Sequence, residues 1–151
     1  MVLEYGNTSN AYRLTKKNGE QILYDQAGNP SNYNGRHLEY ERGGLLVRNG
    51  SHYYKYNALG QRVKKRIGTT FEDYYFEGSR IMARVVDEST EGTVKKDIIR
   101  YYYDADMITK IERHHKATRT WEDSRYIVVY DSNGNLTKLV QVHGVLKKEV
   151  G

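Results

Sequence analysis

Apolar and polar side chains alternate along short stretches of this chain, and turn residues separate the stretches. Around the segment from Tyr53 to Arg66, Tyr54 and Tyr56 fall on one face of an extended strand, and after a turn Val63 and Ile67 alternate with basic residues. The residues between the two stretches are Asn-Ala-Leu-Gly. Asn and Gly tolerate the backbone conformations of tight turns, so this segment predicts a β-hairpin.

The same alternation continues through the chain and predicts roughly a dozen short strands. Asn18-Gly19 and Asn49-Gly50 are strong signals for two-residue hairpin turns. A helical turn fits only in the windows 85–91 and 106–116. The predicted fold is therefore all-β, with consecutive antiparallel β-hairpins forming a curved, twisted sheet or a partial β-spiral.

The pattern also predicts several local features. Residues 1–10 are polar and are expected to be loose, whereas the whole chain, 1–151, is expected to form a single β domain. A loop is expected at 114–118, and the dipeptide His143-Gly144 is expected to turn the chain near its end.

One unit recurs four times: a tyrosine at the end of a strand, followed by an Asx-x-x-Gly turn or a variant of it. The Asx side chain bonds the backbone two residues on, and the glycine accepts a positive φ. The third unit has Met107 where the others have glycine, and the spacing between units varies, as in a degenerate repeat. The residues that we expect to act as repeat-turn scaffold are Tyr24, Asp25, Gly28, Tyr56, Asn57, Gly60, Tyr103, Asp104, Tyr130, Asp131 and Gly134.

Composition changes the expected core. Val, Ile, Leu and Phe make up about a fifth of the chain, near the lower edge for a globular protein, whereas the chain has 15 tyrosines. A tyrosine ring is apolar but its hydroxyl needs a partner, so tyrosine suits thin cores and half-exposed sheet faces. We expect a thin core and much solvated strand surface.

A basic strand with nearby aromatics is the clearest candidate for a binding surface. The net charge is +5, and the mixture of cations and tyrosines is typical of surfaces that bind glycans or single-stranded nucleic acid. Simple alternation explains the same residues as a solvated face, so both interpretations stay open. The candidate residues for a polyanion or glycan surface are Arg62, Lys64, Lys65, Arg66 and Tyr74.

Motifs for catalysis or metal binding are not visible in the sequence. The chain has no cysteine, which excludes disulfides, zinc-thiolate sites and thiol catalysis. If the chain is extended there, the adjacent histidines His114 and His115 would point to opposite faces and could not easily share a metal. We therefore predict no catalytic, cofactor or metal site, and no enzyme activity. A signal peptide and a membrane span are also not predicted.

Several segments resemble the rearrangement-hotspot (Rhs) or YD-repeat family, named for its Tyr-Asp-x-x-Gly turn. Besides the four units, the stretch Asn29-Pro30-Ser31-Asn32-Tyr33-Asn34-Gly35 resembles the linker of that family. The segment from Tyr74 to Ala83 resembles its aromatic strand, acidic-Gly turn and aliphatic strand, and the segment from Arg125 to Leu139 resembles a later repeat. Together these matches cover about residues 20–142.

The resemblance implies a bacterial scaffold. In that family the repeats form a β-sheet that spirals into a hollow shell, and the shell can hold a toxin domain. It implies a non-catalytic structural segment of a shell or surface protein, secreted or at the cell surface. The expected partners are other repeat segments of the same or a parent chain, a toxin-domain cargo, and copies of the chain that pair through sheet edges. The segment that contributes to self-cleavage in many members has no match here.

Overall fold

The computed structural model describes residues 1–6 and 11–148, and side chains are described up to residue 142. The described residues form fourteen antiparallel strands and no helix. Short alternating segments separated by Gly and Asn turns favour strands over helices because each segment is too short for a stable helix. The prediction of an all-β fold built from consecutive antiparallel hairpins is confirmed.

The strands follow one another through short turns. Their bounds are β1 Leu3–Tyr5, β2 Leu14–Lys17, β3 Glu20–Gln21, β4 Asn32–Tyr33, β5 Arg36–Glu41, β6 Leu45–Asn49, β7 His52–Tyr56, β8 Arg62–Ile67, β9 Thr70–Glu77, β10 Arg80–Asp87, β11 Lys95–Asp104, β12 Met107–Ala117, β13 Thr120–Tyr130 and β14 Leu136–Lys148. They form two sheets, β1 to β3 in the smaller and β4 to β14 in the larger, and neighbours in each sheet are consecutive in sequence.

Contacts within the chain divide it into two compact units. The first is Met1–Arg62 and the second is Val63–Gly151. The first contains the three-stranded sheet and strands β4 to β7; the second contains the longer strands, up to the 13 residues of β14. The single domain over 1–151 stays a prediction.

The core is thin, as the tyrosine-rich composition predicted. Among the described side chains only Ile22, Ser124 and Val128 are buried, with exposures of 5%, 4% and 8%. In the second unit, the described strands from β9 to β14 contact only the strands that flank them in the sheet. Each of these strands is therefore stabilised mainly by its ladder and by side chains of the neighbouring strands.

Two local predictions are wrong. The expected loop at 114–118 is mostly strand, because β12 continues to Ala117 and pairs with β11 and β13 on both sides. The expected turn at His143-Gly144 is also absent, because β14 runs through it and pairs Gly144 with Ser124. In both cases a long neighbouring strand provides ladder partners that outweigh local turn propensity.

The N-terminal segment was expected to be loose. Within it, Leu3–Tyr5 forms β1 and pairs with β2, and positions 7–10 lie outside the described residues. The strand was not predicted, because a three-residue segment is too short for its alternation to be recognised.

Candidate functional site: tyrosine seams and the basic strand

Three of the four repeat turns share one hydrogen-bond pattern. In the turn that follows Tyr130, Asp131 Oδ1 accepts bonds from the backbone N–H groups of Asn133 and Asn135, both at 2.9 Å. The Gly134 N–H donates to the Asp131 carbonyl at 3.1 Å, and Gly134 has a φ of 80°. Because the Asx carboxylate satisfies two N–H groups of the turn, it fixes the loop between two strands.

The turns at Asp25 and Asn57 repeat this pattern. Asp25 Oδ1 accepts from the Asn29 N–H at 2.8 Å, and Asn57 Oδ1 accepts from the Gln61 N–H at 3.0 Å. Hydrogen bonds from Asn29 hold the pKa of Asp25 below its usual value, and those from Asn135 do the same for Asp131. In these three units the Asx side chain and the glycine N–H make hydrogen bonds that close the turn, and the scaffold role of these residues stays a prediction.

The third unit has a different turn. Asp104 pairs with Met107 across the ladder, so only Ala105 and Asp106 form the turn. Ala105 has a φ of 50°, the left-handed region that costs an alanine about 1 kcal/mol or more. A two-residue hairpin turn thus replaces the Asx-x-x-Gly loop in this unit, which has Met107 where the other units have glycine.

All four unit tyrosines make the same bond, whatever the turn. Each hydroxyl donates to the main-chain carbonyl of a leucine or isoleucine that lies earlier in the chain. The pairs are Tyr24 to Leu14 at 2.6 Å, Tyr56 to Leu46 at 2.8 Å, Tyr103 to Ile81 at 2.7 Å and Tyr130 to Ile108 at 2.7 Å. Burial is the largest cause that raises the pKa of Tyr103, so this hydroxyl remains a donor at neutral pH.

These bonds lie where the backbone ladder has ended. Pairing between β10 and β11 stops at Ala83 with Arg100, although both strands continue beyond these residues. Pairing between β12 and β13 stops in the same way at Lys110 with Ile127, and between β6 and β7 at Arg48 with Tyr53. We call each such place, where two neighbouring strands continue without pairing, a seam. At these three seams a tyrosine hydroxyl reaches a carbonyl of the adjacent strand.

Arginines and lysines cover many of the aromatic rings. The described residues contain nine pairs in which a cation lies over a ring, including Arg13 over Tyr24 at 4.4 Å and Arg80 over Tyr103 at 5.4 Å. About two would be usual for a chain of this length. Eight of the 24 basic side chains therefore lie over an aromatic ring of the fold, and they cover one face of each of these rings.

The predicted basic surface is not one continuous patch. Arg62 belongs to the first unit, where its guanidinium lies 4.2 Å from the Tyr54 ring centroid and donates to the Tyr56 hydroxyl at 3.3 Å. In the second unit the register of β8 and β9 separates the remaining four residues. Lys64 lies opposite Asp73 and forms an ion pair with it at 2.7 Å.

The two sides of this strand pair carry different residues. Lys65 lies opposite Glu72 and shares its face with Tyr74, whereas Lys64 and Arg66 lie on the other face. We call these the Tyr74 face and the Lys64 face of the second unit. The structure therefore brings Lys65 and Tyr74 to one face and Lys64 and Arg66 to the other, so no single ligand surface contains all four.

On the Tyr74 face, two carboxylates are each bound by an arginine of the neighbouring strand and by one further side chain. We call each such group a clamp, and the sequence did not predict them. Arg84 on β10 donates to Glu72 on β9 at 3.0 Å, and the Tyr74 hydroxyl donates to the same carboxylate. Burial raises the pKa of Glu72, but the bonds from Tyr74 and Arg84 outweigh it and leave the pKa below its usual value. This clamp joins two strands at a half-buried position.

A second clamp follows along the same face. Arg113 Nε donates to Asp97 at 2.7 Å, and His115 Nδ1 lies 2.8 Å from the same oxygen. Burial raises the pKa of Asp97, but these two partners outweigh it, so the pKa is lowered. Alternation places Glu72 and Asp97 on the correct strand face. The clamps were not predicted, because the sequence does not show which neighbouring strand supplies the arginine that pairs with each carboxylate.

The two adjacent histidines point to opposite faces, as predicted. His115 contacts Asp97 on the Tyr74 face, and His114 Nδ1 contacts Asp123 Oδ1 on the other face. Among the described residues no group of three or more His, Asp or Glu side chains is arranged to hold a metal ion.

A groove lies at the seam between β10 and β11. Its volume is about 870 Å³, and it is lined by the end of β11, the start of β10 and the turn before β10. Arg80 crosses it to form an ion pair with Asp106 at 2.5 Å. The lining includes Met82, Ala83, Arg100 and Tyr102. This groove was not predicted from the sequence. The run of tyrosines after Arg100 marks its position, but the groove forms only where the pairing of β10 with β11 ends.

Two comparisons, one with protein-family models and one with curated proteins, give no match. The resemblance to the YD-repeat family therefore stays a prediction based on the repeat residues. In the part of the chain that the structure describes, no helix is long and apolar enough to cross a membrane.

Proposed function

We propose that this chain is a non-catalytic structural segment of a YD-repeat-type shell or surface protein, acting in encapsulation or protein interaction. The observation that carries the proposal is the tyrosine bond at the strand junctions. Four tyrosines, each at the start of a repeat unit, donate to a carbonyl of an earlier strand or segment. Such a device holds successive hairpins together at points where their ladders separate.

The thin core supports the same role. Only three described side chains are buried, and the described strands from β9 to β14 contact only their sheet neighbours. A sheet of this kind has two faces and strand edges available to neighbouring elements. The proposed partners are therefore other repeat segments of the same or a parent chain, a toxin-domain cargo, or a second copy paired through a sheet edge.

The direct test is the coding sequence on either side of this segment. A shell segment is expected to have further tyrosine-turn units in frame before or after residues 1–151, with a tyrosine at the end of each predicted strand. Flanking sequence that contains unrelated domains on both sides, or no further units, would contradict the shell proposal.

The alternative is a module that binds carbohydrate or nucleic acid through Arg62, Lys64, Lys65, Arg66 and Tyr74. It has less support, because Lys64 is paired with Asp73 and Arg62 lies against two tyrosines. Measuring binding to a single-stranded oligonucleotide and to a glycan array at low salt separates the two functions. We expect no saturable binding by the wild-type chain.

The matched variants make this measurement specific. Salt-dependent binding that is lost in the triple variant Arg62→Ala, Lys64→Ala, Arg66→Ala would favour the alternative. The control replaces three other exposed cations, Arg36, Lys55 and Arg119, with alanine. Equal loss in both triple variants would show a general charge effect and no dedicated surface.

A further inference from the structure

Arg100 differs from the other arginines near the seam between β10 and β11. Arg80 pairs with Asp106 and Arg84 with Glu72, whereas Arg100 is exposed and makes no hydrogen bond or ion pair within the described residues. Glu112 lies directly opposite it on β12. That carboxylate is instead contacted by other groups, namely Lys110 at 3.1 Å, Tyr102 at 2.7 Å and Arg125 at 3.6 Å.

Arg100 lies at the position where the ladder ends. Arg100 pairs with Ala83, and beyond this pair β10 and β11 continue without pairing to each other. The groove of about 870 Å³ opens there, and both residues line it. Because Ala83 is small, the Arg100 side chain has no large neighbour at the directly opposite position on β10.

We propose that this groove binds an extended peptide segment of a partner protein and that Arg100 binds a carboxylate side chain of that peptide. An arginine fork matches a carboxylate in two parallel hydrogen bonds. Beyond Ala83 and Arg100, β10 and β11 make no ladder pairs with each other, although the Ile81 carbonyl there already accepts from Tyr103. Backbone groups without a ladder partner are the feature that extended peptides use to add to a sheet. The apolar residues Met82 and Ala83 provide contact for alternate side chains of such a peptide.

Two of the three tyrosine rings in the lining, those of Tyr102 and Tyr103, argue against a sugar as the occupant, whereas no cation of the described residues lies over the ring of Tyr101. Stacking on a sugar requires an open aromatic face. Lys110 lies 3.9 Å from the centroid of the Tyr102 ring, and Arg80 lies over Tyr103 at 5.4 Å. A peptide does not need these faces, because its recognition combines backbone bonds with one charged side chain.

The charges of the groove limit the kind of peptide. Asp106 is neutralised by Arg80, which leaves Glu77 as the remaining negative group in the lining. A run of acidic residues would place one carboxylate near Glu77. The peptide that fits best therefore has a single acidic residue between apolar and small polar residues. This inference goes beyond the structural role and does not depend on it.

The test uses a fluorescein-labelled peptide, Val-Thr-Val-Glu-Val-Thr-Val with blocked ends, and fluorescence anisotropy at two salt concentrations. The control peptide has Gln in place of Glu. We expect the wild-type chain to bind the Glu peptide at least about tenfold more tightly, since a hydrogen bond to a charged group contributes about that factor. The Arg100→Gln variant should lose this preference.

Two further variants make the result decisive. Arg119 is also exposed and without a partner in the described residues, but it lies in the turn between β12 and β13, so Arg119→Gln should bind like wild type. Ala83→Val keeps the guanidinium and narrows the groove, and should weaken binding while the circular dichroism spectrum is unchanged. The proposal would be overturned if the two peptides bind equally well or if Arg100→Gln binds the Glu peptide as tightly as the wild type does. It would also be overturned if a glucuronate oligosaccharide or an oligonucleotide displaces the labelled peptide as effectively as unlabelled Glu peptide does.

Discussion

The units that begin with Tyr103 and Tyr130 make the same bond with different turns. Each hydroxyl donates at 2.7 Å to the carbonyl of an isoleucine on the preceding strand, Ile81 or Ile108. The turn after Tyr130 is an Asx loop with Gly134 at a positive φ, whereas Asp104 and Met107 are joined by only two residues. The bond is preserved although the turn chemistry is not.

This difference separates two roles that the repeat motif combines. The Asx and Gly positions close a particular loop, and a different tight turn replaces them at the third unit. The tyrosine satisfies a carbonyl at a seam where no backbone N–H of the neighbouring strand reaches it, and an unpaired carbonyl costs about 1–3 kcal/mol when it is buried. The tyrosine is therefore the part of the motif that the strand junction requires.

Removing the two hydroxyls should have the largest effect on stability. We expect Tyr103→Phe and Tyr130→Phe each to lower the free energy of unfolding by about 1–2 kcal/mol, measured by urea denaturation, because each leaves a carbonyl without a donor. The two losses should be equal within error, since the bonds are the same length.

The control for these variants is Tyr102→Phe. Tyr102 is next to Tyr103 but more exposed, and its hydroxyl donates to Glu112 on the surface. This change should cost less than about 0.5 kcal/mol. If it costs as much as Tyr103→Phe, or if the two seam variants differ strongly, the shared role of the seam tyrosines is wrong.

Substitutions at the two turn positions, Gly134 and Ala105, should change the free energy of unfolding less than the tyrosine variants do, and by different amounts. Gly134 has a φ of 80° with no atom near its missing side chain, so Gly134→Ala should cost about 1 kcal/mol through backbone strain alone. At φ 50°, Ala105→Gly relieves a similar strain but increases the freedom of the unfolded chain, and should change stability by less than about 0.5 kcal/mol. Urea denaturation measures both, and equal losses would contradict the observed turn conformations.

The clamp at Asp97 joins β11 to β12, the hairpin whose turn lacks glycine, and should make the stability of the chain depend on pH. The folded pKa of Asp97 is lowered, so its contribution to stability is present above the usual carboxyl range near pH 4 and is lost as the pH falls through the lowered value. Asp97→Asn should therefore destabilise the chain at pH 7 and approach wild-type stability as the pH falls below about 4. Thermal unfolding between pH 3 and pH 7 measures this convergence; a constant difference would show that Asp97 contributes no charge-dependent stability.

Much of the secondary structure follows from sequence pattern. The turn at Asn18-Gly19 has positive φ at both residues, 50° and 81°, as a two-residue hairpin requires. The strand extents were less predictable. His114 and His115 lie inside β12, where pairing with Asp97 and Asp123 joins them to both neighbouring strands. A polar pair next to a Thr turn has no local feature that predicts such pairing.

The candidate binding surface shows the same limit. Alternation correctly assigned Lys64 and Arg66 to one face of β8 and Lys65 to the other. It did not reveal that Asp73 would neutralise Lys64, because cross-strand neighbours depend on register. Arg100 was not singled out, although it is exposed and makes no hydrogen bond or ion pair, within the described residues, at the groove between β10 and β11.

By itself, the sequence determined the β architecture, the hairpin order, the thin tyrosine-rich core and the positions of the repeat turns. These properties depend on side-chain periodicity, composition and the few residues that accept positive φ. Only the tertiary structure decided where neighbouring ladders end, which carbonyl each tyrosine reaches, and which charges are paired. Those outcomes depend on the register between strands that are up to 22 residues apart, and register is a property of the assembled sheet.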